Sequence, residues 1–94
     1  MNVRVVRFQD VSAERMQQLV ARIKEAGGPP PGVSSTGISV LFDEGQGTAV
    51  VLQHFATKDD MDAAAKVFEA MDASDTPGTR TSVDACEVSL ELEA

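Results

Sequence analysis

The sequence of 94 residues contains no tryptophan and no tyrosine, and it has only one cysteine and one histidine. The single Cys86 cannot form a disulfide within the chain, and one histidine with one cysteine cannot build a closed zinc site. Gly45 and Gly47 lie in a hairpin turn rather than between a strand and a helix, so they do not form a phosphate-binding loop. We therefore expect neither a metal site nor a bound cofactor.

Basic residues are also scarce: eight Lys and Arg stand against fifteen Asp and Glu, which gives a net charge of −7. Such a chain is not expected to bind nucleic acid, because phosphate neutralisation requires clustered Lys and Arg. It has no run of roughly 18 apolar residues, so we expect no membrane span. The first ten residues contain no apolar stretch of signal-peptide length, and together with the lone cysteine this predicts a cytoplasmic protein.

The stretch that organises the chain is a hairpin from Gly37 to Phe55. Two runs rich in Val, Leu, Ile, Phe and Thr flank its glycine-containing turn, which is typical of two antiparallel strands. Side chains alternate along a strand, so the second arm has two faces. Both are largely apolar: one carries Ala49, Val51, Gln53 and Phe55, and the other carries Thr48, Val50, Leu52 and His54.

Two amphipathic helices and two further strands accompany the hairpin. One strand is predicted from Val3 to Phe8 and another from about Thr81 to Leu92. Ser12 and Thr57 are predicted N-caps, and Gly27 ends the first helix. Apolar residues recur at helical spacing in both helices. They are Met16, Leu19, Val20 and Ile23 in the first, and Met61, Ala64, Ala65, Phe68 and Met71 in the second.

The order β-α-β-β-α-β predicts one α+β domain over residues 1–94 with the ferredoxin-like fold. Its four-stranded antiparallel sheet would have the strand order fourth, first, third, second, with both helices on one face. The other face would remain open, and we expect it to carry Val3, Val5, Val83, Ala85 and one side of the hairpin. An open apolar face of this size is unusual on a monomer, so we predict a homodimer formed through it.

The segment from Val50 to Ala63, with the sequence VVLQHFATKDDMDA, carries a family resemblance. A strand ending in an acidic residue, a spacer and an aromatic, followed by a capped helix, is common in one group of small proteins. Here Phe55 stands at the aromatic position and Gln53 where Glu is frequent. The chain resembles the antibiotic-biosynthesis-monooxygenase-like members of the dimeric α+β barrel superfamily. The resemblance implies two sheets facing each other across a dimer, with a pocket between each sheet and its helices.

That resemblance implies binding or cofactor-independent oxidation of a small apolar or aromatic molecule. His54 is then the candidate catalytic acid or base, since histidine titrates near neutral pH. Phe42, Phe55 and Phe68 would form the pocket walls, and Gln53 is a further candidate ligand-binding residue. Gln53 and His54 point to opposite sides of the strand, so only one of them can face a given cavity. The alternative for His54 is a polar residue at a strand end, hydrogen-bonded or hydrated.

Three other interpretations have alternatives. For Arg4 and Arg7 we favour cross-strand pairing with Glu87 or Glu91 over anion binding. Cys86 is expected to behave as a small apolar residue rather than a nucleophile, because the first strand should separate it from His54. For the whole protein, the alternative to a ligand-binding pocket is a non-catalytic dimerisation or interaction module with a filled core. The sequence is compatible with both an enzyme and a non-enzyme.

Overall fold

The computed structural model describes residues 1–70 and 76–93. Within these residues it contains four strands and two helices in the order β-α-β-β-α-β. Their bounds are β1 Asn2–Gln9, α1 Ala13–Ala26, β2 Gly37–Asp43, β3 Thr48–Phe55, α2 Lys58–Glu69 and β4 Thr79–Glu87. The four strands form one antiparallel sheet in the order β2-β3-β1-β4. The predicted ferredoxin-like α+β fold and its strand order are confirmed.

Both helices begin at the predicted caps. The Ser12 hydroxyl accepts a hydrogen bond from the backbone amide of Arg15 at 3.2 Å, and the Thr57 hydroxyl accepts one from the amide of Asp60 at 3.1 Å. Each satisfies one of the amides that a helix N-terminus leaves without an intrahelical partner. Helix α1 ends at Gly27, whose φ of 69° is the left-handed conformation that glycine adopts without steric cost. The apolar stripe predicted for α2 extended to Met71, which lies outside the described residues.

Strand β4 ends at Glu87, earlier than the predicted end near Leu92. Glu87 pairs with Asn2, and the next amide, that of Val88, donates to the Met1 carbonyl at 3.0 Å. Because β1 begins at Asn2, the ladder between the two strands stops there. Leu92 is therefore 80% exposed despite the apolar alternation that leads up to it.

The two faces of the sheet differ in what covers them. The helix face lies beneath α1 and α2, and β1 contributes Arg4, Val6 and Phe8 to it. The open face carries Val3 and Val5 from the same strand. The cross-strand register extends these faces over the sheet, since directly paired residues point to the same side. Val5, for example, pairs with Leu52, and Leu52 pairs with Ser39, so all three lie on the open face.

The register corrects one prediction about the open face. Val83 pairs with Val6 and Ala85 pairs with Arg4, so both lie on the helix face. A shift of one residue turns a strand over. The sequence alternates Cys86, Val88, Leu90 and Leu92, which favours their side as the inner one, but β4 ends at Glu87 and three of these four residues lie beyond the strand. Val83 is nevertheless 42% exposed, as β4 is an edge strand.

The core under the helices is divided into two clusters. The α1 cluster consists of Val6, Phe8, Val11, Met16, Ala49 and Val51. The α2 cluster consists of Val33, Phe55, Met61 and Ala64. Between them, the polar pair Arg4 and Gln53 occupies adjacent positions on β1 and β3. The sheet is thus apolar at both ends of its helix face and polar in the row between.

Both helices are short, with 14 residues in α1 and 12 in α2. A helix that crosses a bilayer needs about 20 apolar residues. Within residues 1–70 and 76–93, no helix has the length and apolarity to cross a membrane.

Candidate functional site

A cleft of about 1370 Å³, open to solvent, lies between the helix face of the sheet and the helices. The floor is formed by β1 and β3, through Arg4, Val6, Phe8, Val51 and Gln53. One wall is the inner side of α1, including Leu19 and Ile23, and the opposite wall is the end of α2, including Phe68 and Glu69. The connector Gly27–Pro31 and residues 76–80 form the rim. The prolines thus give the cleft a stiff border.

Arg4 is the charged residue of this floor, and it is only 6% exposed. Alternation along β1 turns it to the helix face together with Val6 and Phe8. Its Nη1 donates a hydrogen bond to Oε1 of Gln53 at 3.1 Å. Its guanidinium carbon lies 4.9 Å from the centre of the Phe68 ring, a distance at which a cation is attracted to the ring face. These two contacts fix the plane and the direction of the guanidinium.

The remaining donor of Arg4 that is fully buried, Nε, has no hydrogen-bond partner among the described residues. More than nine in ten buried polar groups in proteins have a partner, so an exception of this kind needs an explanation. Burial lowers the pKa of Arg4 from its usual value, the positive charge of Arg80 lowers it further, and Glu69 partly offsets both effects. Arginine remains protonated at neutral pH even so. The cleft therefore contains a buried positive charge with an unused donor.

Charge is distributed unevenly between this cleft and the rest of the chain. Four of the five arginines of the sequence line it, namely Arg4, Arg15, Arg22 and Arg80. Among its described lining residues, Glu69 is the one acidic side chain. Arg15 also donates from Nη2 to the carbonyl of Thr76 at 2.9 Å, which ties α1 to the rim. A cleft with one predominant sign of charge concentrates ligands of the opposite sign, even on a chain whose net charge is −7.

The aromatic residues predicted as pocket walls separate into two groups. Phe68 lines the cleft, as does Gln53. Phe55 does not, because it is completely enclosed in the α2 cluster with 0% exposure. Phe42 packs against the α1 cluster from the edge strand β2 and is also absent from the cleft lining. Phe55 and Phe42 are therefore packed in the core in this structure and do not line this cleft.

His54 lies on the opposite side of the sheet from the cleft. It pairs with Val3, and its Nε2 is 3.3 Å from the hydroxyl oxygen of Ser39 on β2. The sheet backbone separates it from Gln53, the preceding residue, whose side chain points into the cleft. The structure thus does not bring His54 together with Gln53 and Phe68 in one site. The hydrogen-bond distance to Ser39 agrees with the alternative that His54 is a hydrogen-bonded polar residue near a strand end.

Two other residues discussed in the sequence analysis, Cys86 and Arg7, lie on the open face. Cys86 pairs with Val3, which also pairs with His54, so β1 lies between the cysteine and the histidine as expected. Arg7 forms an ion pair with Asp84, with 2.7 Å between Nη1 and Oδ2. Cross-strand pairing of Arg7 is thus observed, but with Asp84 rather than with the predicted Glu87 or Glu91. Arg4 faces the cleft and donates to Gln53 instead.

The open face is also substantially apolar. Val3, Val5, Val50 and Leu52 are half-buried there without any helix above them, and Leu41 is 52% exposed. The Arg7–Asp84 pair cancels its own charge at one end of this surface. Apart from that pair, the face carries one further charged side chain on the paired strands, Asp43 of β2.

Within the part of the chain that the structure describes, no group of three or more His, Cys, Asp or Glu side chains is placed to hold a metal ion. Comparison with protein-family models, with curated proteins and with solved structures gives no match to this chain. The cleft and the open face are therefore interpreted from their own chemistry.

Arg4 is the residue whose importance the sequence pattern understated. The signal was present in β1: a charged side chain shares the inner side of a strand with Val6 and Phe8. A charge at an inward position is rarely buried without a partner or a purpose. The hydrogen bond to Gln53 and the ring contact with Phe68 depend on the sheet register and on how α2 is placed, neither of which alternation along one strand reveals.

Proposed function

We propose that this protein binds a small, largely apolar molecule in the cleft between its sheet and its helices. The observation that carries the proposal is the cleft itself, of about 1370 Å³, with Leu19 and Ile23 on one wall and Phe68 on the other. Sites for small ligands usually enclose ~300–1,000 Å³ and are lined by apolar and aromatic side chains with a few polar groups. An open cleft of this size has room for such a ligand and for its entry.

We propose binding rather than turnover. A general acid or base must reach the substrate within hydrogen-bond distance or through one water. His54 lies on the far face of the sheet, where its ring nitrogen contacts Ser39. A molecule in the cleft is therefore out of its reach, and oxidation with His54 as the acid or base has no geometric support from the cleft.

The test is the binding of an uncharged dye, N-phenyl-1-naphthylamine, whose emission rises in apolar surroundings. Ile23→Glu places a charge in the wall of the cleft, and Gln18→Glu adds the same charge on the exposed side of the same helix. We expect the wild type to bind the dye and Ile23→Glu to bind it about tenfold more weakly, because a carboxylate is costly in an apolar site. Gln18→Glu should match the wild type.

Two results would contradict the cleft as a binding site. One is the absence of dye binding by the folded wild-type protein, which is what a dimerisation module with a filled core predicts. The other is an equal loss of binding in both variants, which would mean that the added charge, and not its position, weakens the dye. Far-UV circular dichroism establishes that each variant is folded.

We also propose that the open face pairs with the same face of a second copy. At ~4.8 Å between strands and ~3.4 Å per residue, four strands of seven to nine residues present about 19 by 25 Å. Two such faces bury on the order of 1,000 Å², close to the minimum area expected of a biological interface. Few charges oppose the pairing, since Arg7 and Asp84 neutralise each other.

Light scattering during size-exclusion chromatography tests this interface. We expect a dimer for the wild type and a monomer for Leu41→Asp, which puts a charge at the exposed apolar position of the face. Gln18→Asp on the outer side of α1 is the charge-matched control and should remain dimeric. A wild type that is monomeric at high micromolar concentration would remove this part of the proposal and leave the cleft unaffected.

A further inference from the structure

We propose that Arg4 is an anion-binding group and that the ligand of the cleft is an amphipathic monocarboxylate. Its carboxylate would bind at Arg4, and its hydrocarbon part would lie against the apolar walls. This inference rests on the proposed binding function, because it specifies the ligand class of the same cleft. A cleft that binds only apolar molecules does not require a buried arginine such as Arg4.

The first support is the orientation of the guanidinium. Nη1 is engaged by Gln53, while Nε is buried without a partner in the described chain. Nε and Nη2 share the edge of the guanidinium on which two parallel hydrogen bonds to a carboxylate form. A carboxylate at this edge would supply the acceptor that the described chain does not; Nε has less than 1 Å² of exposed surface, so the side chains that cover it must move when the ligand binds. The Phe68 ring, 4.9 Å away, and Gln53 hold the group in place before the ligand arrives.

The second support is the balance of charge around Arg4. Arg80 lies near enough for its positive charge to act on Arg4, and Glu69 is the acidic side chain that opposes it. Positive side chains therefore predominate over acidic ones among the described residues that line the cleft, and this favours an anionic ligand.

The third support is the surface that surrounds the charged centre. Val6 and Val51 adjoin Arg4 and Gln53 on the floor, and Leu19 and Ile23 face them from α1. A small inorganic anion would leave this apolar surface in contact with water. A ligand with both a carboxylate and a hydrocarbon body covers it, and burial of apolar surface then adds to the affinity.

The first experiment compares octanoate with octanol, which has the same chain length and no charge, as competitors for N-phenyl-1-naphthylamine on the wild-type protein. We expect octanoate to displace the dye at a concentration at least about tenfold lower, since charge-assisted hydrogen bonds are the stronger ones. Equal potency, or no displacement by either compound while the dye binds, overturns the anion site and leaves the cleft intact. Failure of the dye itself to bind overturns both.

The second experiment uses variants. Arg4→Met removes the charge at similar length and should lower the affinity for octanoate about tenfold or more without lowering that for octanol. Arg7→Met removes an arginine from the open face of the same strand and should change neither. If Arg4 served only to hold the fold together, Arg4→Met would alter stability but keep the octanoate-to-octanol ratio, and that result contradicts the proposal.

Arg4→Lys keeps the charge but lacks the Nε–Nη2 edge, so its affinity for octanoate should fall several-fold. This variant tests the proposal if Arg4→Met does not fold.

An NMR experiment on the wild-type protein tests binding at Arg4 without any variant. The sequence has five arginines, so the side-chain Nε–H region of an NMR spectrum is sparse. Octanoate should shift the Arg4 signal and octanol should not, and a spectrum in which only exposed arginines respond would contradict binding at Arg4.

Discussion

Replacing Phe55 with alanine is expected to remove a large part of the stability of this domain. Phe55 is 0% exposed and packs among Val33, Met61 and Ala64 under α2. A buried phenylalanine covers about 150–250 Å², which at ~25 cal/mol per Å² corresponds to about 4–6 kcal/mol. Truncations of this kind cost about 3–5 kcal/mol. For a domain of this length the whole free energy of unfolding is about 5–14 kcal/mol.

The assay is urea unfolding followed by far-UV circular dichroism, because the chain has no Trp or Tyr for intrinsic fluorescence. All samples need the same protein concentration, since association would add to the apparent stability. Phe42→Ala is the matched control: the same residue type is removed, but Phe42 is half-buried at an edge strand. We expect its cost to be about 1–2 kcal/mol, in proportion to the smaller buried area.

The result also separates a core residue from a pocket wall. If Phe55 contacted the ligand, its truncation would weaken ligand binding and cost little stability. A loss below about 1 kcal/mol for Phe55→Ala, or a larger loss for Phe42→Ala, would refute the assignment of Phe55 to the core.

Two further predictions concern single positions of the backbone. Gly78→Ala should cost about 1–3 kcal/mol in the same unfolding assay, because a Cβ there would collide with the Gln9 carbonyl oxygen. A Cβ at Gly28 meets nothing within 4 Å, so Gly28→Ala should change stability by less than about 0.5 kcal/mol. Similar losses in both variants would contradict the collision. Ser12→Ala and Thr57→Ala should each cost about 1 kcal/mol of stability, because each removes a helix cap. Asp at either position should restore most of the lost stability. Unchanged stability after the alanine substitutions would show that the hydroxyl hydrogen bonds are not needed.

Local signals in the sequence were sufficient for the elements and their order. Ser12, Thr57 and Gly27 each determine a helix end through short-range hydrogen bonds or through backbone conformation, and these are written in a few adjacent residues. The β-α-β-β-α-β order then leaves few topologies, because crossover connections are right-handed. That is why the sheet order could be predicted without any knowledge of side-chain contacts.

The candidate site was harder to predict from the sequence than the fold, because it depends on the pairing of strands that are distant in the chain. The face to which Val83 and Ala85 turn is set by their register with β1, and the apolar alternation that continues past the end of β4 at Glu87 favours the opposite side. The separation of His54 from the cleft does follow from alternation, since Gln53 is its neighbour and faces the other way. The sequence did not determine which of the two faces of β3 the helices cover. The structure shows that it is the face of Phe55, which is fully enclosed beside Met61 of α2.

The polar row of Arg4 and Gln53 has a consequence for engineering this domain. Within residues 1–70 and 76–93, the two apolar clusters that it separates share no residue, so the packing of one does not set the dimensions of the other. Free-energy changes at sites without common neighbours are usually additive. Met16 beneath α1 and Met61 beneath α2 can therefore be redesigned in separate rounds, and the best choices from each round combined in one chain without compensating mutations.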